Sequence, residues 1–210
     1  MAPAIASLVQ LLLILTLSLL ASGVIKTMKA RLQMRQGAGI FQPNYNLSKL
    51  LRKGMVIPNT ASWIFTATPL IVFSTALLVG LLIPLISADA PLSLFGGVLA
   101  VIYMLGLGRF FLALGGLDAG TPFGGLGSSR EVTISSLAEP AMMLAIFTVA
   151  LTAGSTNLTE VAHSAIGHGW GFFTPSQMLA CAALFIVLIA ETGRVPVDNP
   201  ATHLELTMLH

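Results

Sequence analysis

Carboxylates set into apolar sequence are where this chain can do chemistry. Residues 190–210 read AETGRVPVDNPATHLELTMLH and place Glu191, Arg194, Asp198 and Glu205 directly after the apolar run 178–189. A free charged side chain at bilayer depth costs roughly 2.5–3.5 kcal/mol on insertion scales. Acids kept at such a position are therefore expected to pair with a cation or to titrate. Pro196 and Pro200 prevent a regular helix through them, and non-helical backbone at that depth is tolerated only where it is buried in protein or lines a watery cavity. The expected arrangement is a cavity wall in which Arg194 holds one or two carboxylates ionised and the others exchange protons. Glu139 is the sharpest single residue. It lies eight positions past Glu131 in an otherwise apolar stretch, about 12 Å further along a continuous helix. Pro140 follows it and cannot donate to the carbonyl of Ser136. Burial favours the protonated form of a carboxyl, which suits a group that takes up and releases a proton. The alternative is a neutral structural acid bonded to Ser135, Ser136 or a neighbouring helix.

The other candidates support no nucleophilic or metal chemistry. Arg109 is expected a helical turn or two from the end of its span, where a long side chain snorkels to headgroups; pairing with Glu139 or Glu191 is the alternative that would matter. Cys181 is the single cysteine and sits in an apolar run, which excludes a disulfide within the chain and points to a soft core side chain. His163, His168, His203 and His210 match no metal-binding spacing.

The elements that must carry these residues are membrane helices. The chain is 55% hydrophobic and 9% charged, where a soluble domain has about 25% charged residues. The expected fold is an all-α, polytopic transmembrane helix bundle forming one membrane domain over residues 1–210. Stretches near 4–25, 61–86, 92–116, 132–154 and 175–191 are apolar and match the ~20 residues that a ~30 Å hydrocarbon core requires. The first reads as a retained span, because its cations come after it and not before. Lys26, Lys29, Arg31, Arg35, Lys49, Arg52 and Lys53 lie in the connection 26–60, Arg109 and Arg130 flank 115–131, and Arg194 lies in 191–210; the connections 87–91 and 155–174 contain no Lys or Arg. The positive-inside rule then puts the N-terminus outside and the three charged connections on the cytoplasmic side of the cell inner membrane.

The connections invite specific readings. In the first, Asn46 is expected to cap a short helix with Leu47, Leu50 and Leu51 on one face and Lys49, Arg52 and Lys53 on another. That helix either rests on anionic headgroups or docks a soluble partner. The glycine-rich stretch 115–131 lacks the Gly-Lys-Ser/Thr of a phosphate loop and reads as a tight turn in which Asp118 is solvated. The stretch 155–174, with Glu160, His163, His168 and Trp170, reads as a wetted surface loop.

The segment AETGRVPVDNPATHLEL resembles the Glu-Thr-x-Arg-x-Pro-x-Asp segment of the quinone-chamber subunit of respiratory complex I. Arg130 and Glu139 share the spacing of an Arg and a Glu in that subunit. GRFFLALGGLDAGTPFGGLGSSREVTISSLAEPAMMLAIF and AGSTNLTE resemble more closely the membrane subunit of energy-converting [NiFe] hydrogenases and formate hydrogenlyases. This resemblance implies a subunit without metal or cofactor of its own. Its implied partners are hydrogenase-like large and small subunits and an Fe–S protein on the cytoplasmic side, which hold the [NiFe] centre and Fe–S clusters, with antiporter-like subunits in the membrane. It also implies that Glu139, Glu191, Asp198 and Glu205 lie on an acidic proton (or sodium) path, with Arg109, Arg130 and Arg194 as charge partners. Arg31, Arg35, Lys49, Arg52 and Lys53 are then the docking cations. Quinone would bind only under the complex I alternative; a stand-alone ion transporter is the remaining reading, against which no inverted repeat is visible.

Overall fold

The computed structural model describes residues 3–54, 56–85, 88, 97–172 and 174–192. It is helical, and among the described residues no strand forms beyond one isolated bridge, Gly97 to Asn157. By its packing the chain divides into two compact units, Met1–Ile57 and Pro58–His210.

The first unit holds α1 (Pro3–Leu32) and α2 (Gln42–Leu51). At 1.5 Å per residue α1 is about 45 Å long, more than the hydrocarbon core requires. It runs past the expected limit at residue 25, so that Lys29 and Arg31 fall in its last turn, where cations complement the negative end of the helix dipole. The short helix exists, but Asn46 does not begin it. Pro43 occupies the first turn after Phe41, a position where the missing N–H costs nothing and φ is already helical. Asn46 lies within α2 and accepts a hydrogen bond from Gln42 Nε2 at 3.2 Å. Leu47, Leu50 and Leu51 are exposed.

The second unit comprises α3 (Trp63–Leu82), α4 (Val98–Asp118), α5 (Pro122–Ala153), α6 (Leu158–His168), a 3-10 turn (Gly169–Phe172) and α7 (Pro175–Glu191). Among the described residues four helices are long and apolar enough to cross a membrane, and α7 is a shorter apolar helix. In the second unit α4 packs between α3 and α5, and α5 packs on α6 and α7. Val98 and Ile102 of α4, Ala138 and Met142 of α5, and Val187 of α7 form a common buried cluster.

Two connections differ from expectation. Within 115–131 only residues 119–121 are non-helical. Thr121 caps α5 by accepting from the Gly124 amide at 3.1 Å, and Pro122 opens the helix. Those local signals outweigh the low helix propensity of Gly124, Gly125 and Gly127, and the close approach of α4 explains one glycine directly: a Cβ on Gly124 would collide with the Gly116 carbonyl. The stretch read as a wetted loop contains α6, capped by the Asn157 side chain on the Thr159 amide at 3.0 Å. Gly154 at φ 71° ends α5 in the left-handed conformation that favours glycine.

The seam between α3 and α4 is built from small residues. A Cβ on Gly115 would lie 2.7 Å from Thr68 Oγ1 and 3.0 Å from its Cβ; one on Gly108 would lie 2.8 Å from Thr75 Oγ1. Both pairs are seven residues apart, so one face of each helix carries the contact. Thr68 Oγ1 donates to the Ile64 carbonyl of its own helix at 2.8 Å and lies 3.1 Å from the Phe111 carbonyl of α4. Such packing replaces the hydrophobic drive that is missing between helices in lipid. Gly115→Ala is expected to destabilise the second unit by about 1–3 kcal/mol through overpacking. Thermal unfolding of the detergent-solubilised protein, followed by helix signal, checks this; the loss should shrink in a Thr68→Ala background.

Candidate functional site

Arg109 stands near the middle of α4, nine residues before its end at Asp118, hence about 13 Å along the axis. At that depth it does not take the expected place near a span end. Its side chain is only 14% exposed, and Nη1 lies 2.6 Å from Glu191 Oε1 on α7 and 3.3 Å from Glu139 Oε1 on α5. Two acids from two helices hold the guanidinium inside the bundle, which removes the reason to snorkel.

Each partner is positioned by its own helix. Glu139 lies midway along α5 and faces Gly106 of α4, where a Cβ would stand in ordinary contact, 3.6 Å from Glu139 Oε1. Glu191 is the last residue of α7. A carboxylate there adds to the negative end of the helix dipole, and Arg109 offsets both. Because Glu191 reaches Arg109 directly, α7 ends at the depth of the middle of α4.

Two clefts meet at Arg109. One, of about 670 Å³, lies between α4 and α5 and is lined by Tyr103, Gly106, Glu131, Ser135, Ser136 and Glu139 among others. Glu131, Ser135 and Glu139 recur every four residues and so share one face of α5, a polar column that leads to the guanidinium. The other, of about 700 Å³, lies among α3, α4, α5 and α7 and is apolar apart from Thr75, Arg109 and Glu191; Cys181 and Phe185 stand on its α7 wall. Arg109 lines both. The arrangement can hold a proton on either of two carboxyls and connect a polar approach to an apolar one.

The remaining candidates are placed as follows. Arg130 is half-buried in α5 beside Glu131 and lines neither cleft. Arg31, Arg35, Lys49, Arg52 and Lys53 are exposed on the first unit. Arg194, Asp198 and Glu205 lie outside the described residues, so the cavity wall expected after Glu191 is not described. Asp118 is not merely solvated: its Oδ2 accepts from the backbone amides of Ser62 at 2.8 Å and Phe65 at 3.1 Å. The first amides of α3 have no partner within their own helix, and the end of α4 supplies one. Reading the sequence named Ser135 only as a bonding partner for Glu139 and missed the part played by Glu131; the four-residue spacing along α5 was the signal for both.

The family model described as NADH dehydrogenase matches residues 5–208. Formate hydrogenlyase subunit 4 and hydrogenase-4 component C, both of Escherichia coli (strain K12), are 32% and 36% identical to the chain. Each match covers 95% of the chain, and 64% and 63% of those proteins. An NADH-quinone oxidoreductase subunit of Rhodospirillum rubrum is 31% identical over 83% of the chain and 53% of its own length. The chain thus spans less than two thirds of the length of these curated relatives. A chain of the membrane-bound sulfane sulfur reductase, an archaeal respiratory membrane complex, superposes with a TM-score of 0.84 at 23% identity, over 100% of this chain and 70% of that one. This likeness establishes the shared fold.

Proposed function

Because the chain belongs to the NADH dehydrogenase family, we propose that it is the energy-coupling membrane subunit of a hydrogenase- or formate hydrogenlyase-like complex in the cell inner membrane. The wider coverage of the chain by formate hydrogenlyase subunit 4 and hydrogenase-4 component C, 95% against 83% for the NADH-quinone oxidoreductase subunit, supports the hydrogenase side of the family. In this reading the N-terminus is outside, and the exposed cations Arg31, Arg35, Lys49, Arg52 and Lys53 dock a soluble redox module that holds the [NiFe] and Fe–S centres. Antiporter-like subunits adjoin it in the bilayer.

The observation that carries the reading is Arg109 held mid-helix between Glu139 and Glu191, at the meeting of two clefts. Intramembrane ionisable residues that face a bundle interior mark ion paths. Electron transfer in the attached module changes the charge at the inner face; protons (or sodium ions) then move along Glu139, Glu191, Asp198 and Glu205. Arg130 and Arg194 accompany these acids as charge partners.

The test is to purify the assembly through a tag on this chain and reconstitute it in vesicles. Hydrogen evolution accompanied by proton or sodium movement is the expected result. The apolar cleft beside Arg109 and Glu191 supports a second reading, a complex I quinone-chamber subunit, because such a cleft suits a lipophilic ligand. NADH-dependent quinone reduction without hydrogen evolution would establish that reading in place of the first. Ion flux through the chain alone would point to a transporter.

A further inference from the structure

Residues 1–57 contain Lys26, Lys29, Arg31, Arg35, Lys49, Arg52 and Lys53 and no acid; the first acidic side chain of the sequence is Asp89. The first unit therefore has no counter-ion of its own. Its backbone folds part of that charge back against α1. Met34, at φ 57°, turns the chain just past Leu32: its amide donates to the Arg31 carbonyl at 3.0 Å, and the Arg35 amide donates to the Ala30 carbonyl at 2.9 Å. These are the paired bonds that close a helix on a left-handed residue. The chain then returns along α1. Thr27 Oγ1 lies 3.1 Å from the Ala38 carbonyl, a Cβ on Gly37 would stand 2.6 Å from Ala30 Cβ, and one on Gly23 would collide with the Ile40 carbonyl. Gly23 precedes Leu32 by nine residues, about 13 Å along the axis.

That return sets the level of the unit in the bilayer. The apolar run of α1 ends at Ile25, so Ile40, and with it the start of α2, stands at the hydrocarbon boundary. Arg31 lies six residues past Ile25, about 9 Å further, where the headgroup layer is roughly 5–8 Å deep. Helical side chains lean toward the N-terminus, which carries its guanidinium back into that layer. A cleft of about 590 Å³ separates α1 from the returning chain and is lined by Thr27, Arg31, Arg35 and residues 36–40. The amides of residues 36–40 donate to no backbone carbonyl among the described residues, so two guanidiniums and unspent donors border one cleft. On the helical period Leu47, Leu50 and Leu51 share one side of α2, while Lys49, with Arg52 and Lys53 just beyond the helix, lies opposite. The three leucines are exposed.

We propose that this cleft holds the phosphate of an anionic phospholipid, with Arg31 and Arg35 as its cations, while the leucine face of α2 rests on the acyl chains beside it. A phosphodiester at headgroup level supplies the negative charge that the unit lacks, and a guanidinium binds it through paired N–H donors. Basic pockets beside membrane spans hold such headgroups. The carbonyl end of α1 by itself disfavours an anion, but the Met34 and Arg35 amides occupy two of those carbonyls and Lys29 offsets the others. With the leucines in lipid, Lys49, Arg52 and Lys53 point to water. In the docking reading above, Arg31 and Arg35 then meet the redox module through the headgroup they hold, and the α2 cations meet it directly. The site is independent of which redox module the chain serves.

Amide hydrogen exchange tests this on the assembled complex, purified through this chain and placed in phosphatidylcholine nanodiscs with rising fractions of phosphatidylglycerol. Residues 36–40 should exchange more slowly as phosphatidylglycerol is added. Arg31→Gln and Arg35→Gln should each raise the fraction needed for half of that slowing by about fivefold, the worth of one cation beside an anionic surface. Arg31→Lys should keep most of the response. Leu47→Ser combined with Leu50→Ser should speed exchange within α2 in either lipid. Equal exchange of residues 36–40 in the two lipids would overturn the site. If inorganic phosphate added to pure phosphatidylcholine discs slows the same amides equally, the cleft takes free phosphate and the lipid assignment is wrong. Loss of the redox module from the double glutamine variant, with the lipid response unchanged, would assign the arginines to the protein partner instead. Should that variant not assemble, the wild-type lipid and phosphate series and Arg31→Lys decide the question by themselves.

Discussion

Arg109→Leu is expected to destabilise the second unit by about 2–4 kcal/mol. Removing one partner of a buried ion pair costs roughly 3–5 kcal/mol, because the other charge is left uncompensated; the partial exposure of Glu139 and Glu191 lowers that figure through solvent screening. The variant leaves two carboxylates near each other with no cation, and Glu191 remains at the negative end of α7. The penalty should shrink as the pH falls, since a carboxyl that has taken up a proton no longer needs the guanidinium. Thermal unfolding of the solubilised protein across a pH series measures both the size and the sign. Adding Glu139→Gln and Glu191→Gln to Arg109→Leu should recover most of the loss, because a site with no charge has none to leave unpaired. A pH-independent loss, or no recovery in the triple variant, would mean that the guanidinium acts by packing.

The second large effect is functional. Glu139→Gln should lower ion movement per redox turnover by about 10²-fold, the lower end of what a positioned proton-transfer group contributes. Complex assembly should be largely intact. Glutamine keeps the shape of the side chain and an oxygen that accepts from Arg109. What it cannot do is release a proton. Glu139→Asp, which retains the carboxyl on a shorter stem, should recover part of the coupling. Normal ion movement in the glutamine variant, measured in vesicles alongside redox turnover, would make Glu139 a structural acid.

How far the sequence could be read follows the range of the forces involved. Membrane class and the apolar stretches were legible, because hydrocarbon imposes length and polarity on each span separately; the expected limits of the fifth, 175–191, coincide with α7. Helix ends were less legible, because they depend on which of several local signals prevails. Pro43 outweighed Asn46 at α2, and Thr121 with Pro122 turned a glycine-rich stretch into the first turns of α5. Asp118 looked solvated because its partners, the Ser62 and Phe65 amides, belong to another helix.

The site divides in the same way. Glu139 stood out by itself, since an acid in a mainly apolar stretch is conspicuous at bilayer depth. Glu191 and Arg109 were visible as residues but not as partners. Their meeting depends on α7 ending level with the middle of α4. The sequence determined a set of apolar helices and the acids that lipid alone would not accommodate. Only the packing of α4, α5 and α7 decided that one guanidinium serves two carboxylates, because pairing across helices separated by as many as 82 residues is fixed by interhelical contact and leaves no local pattern.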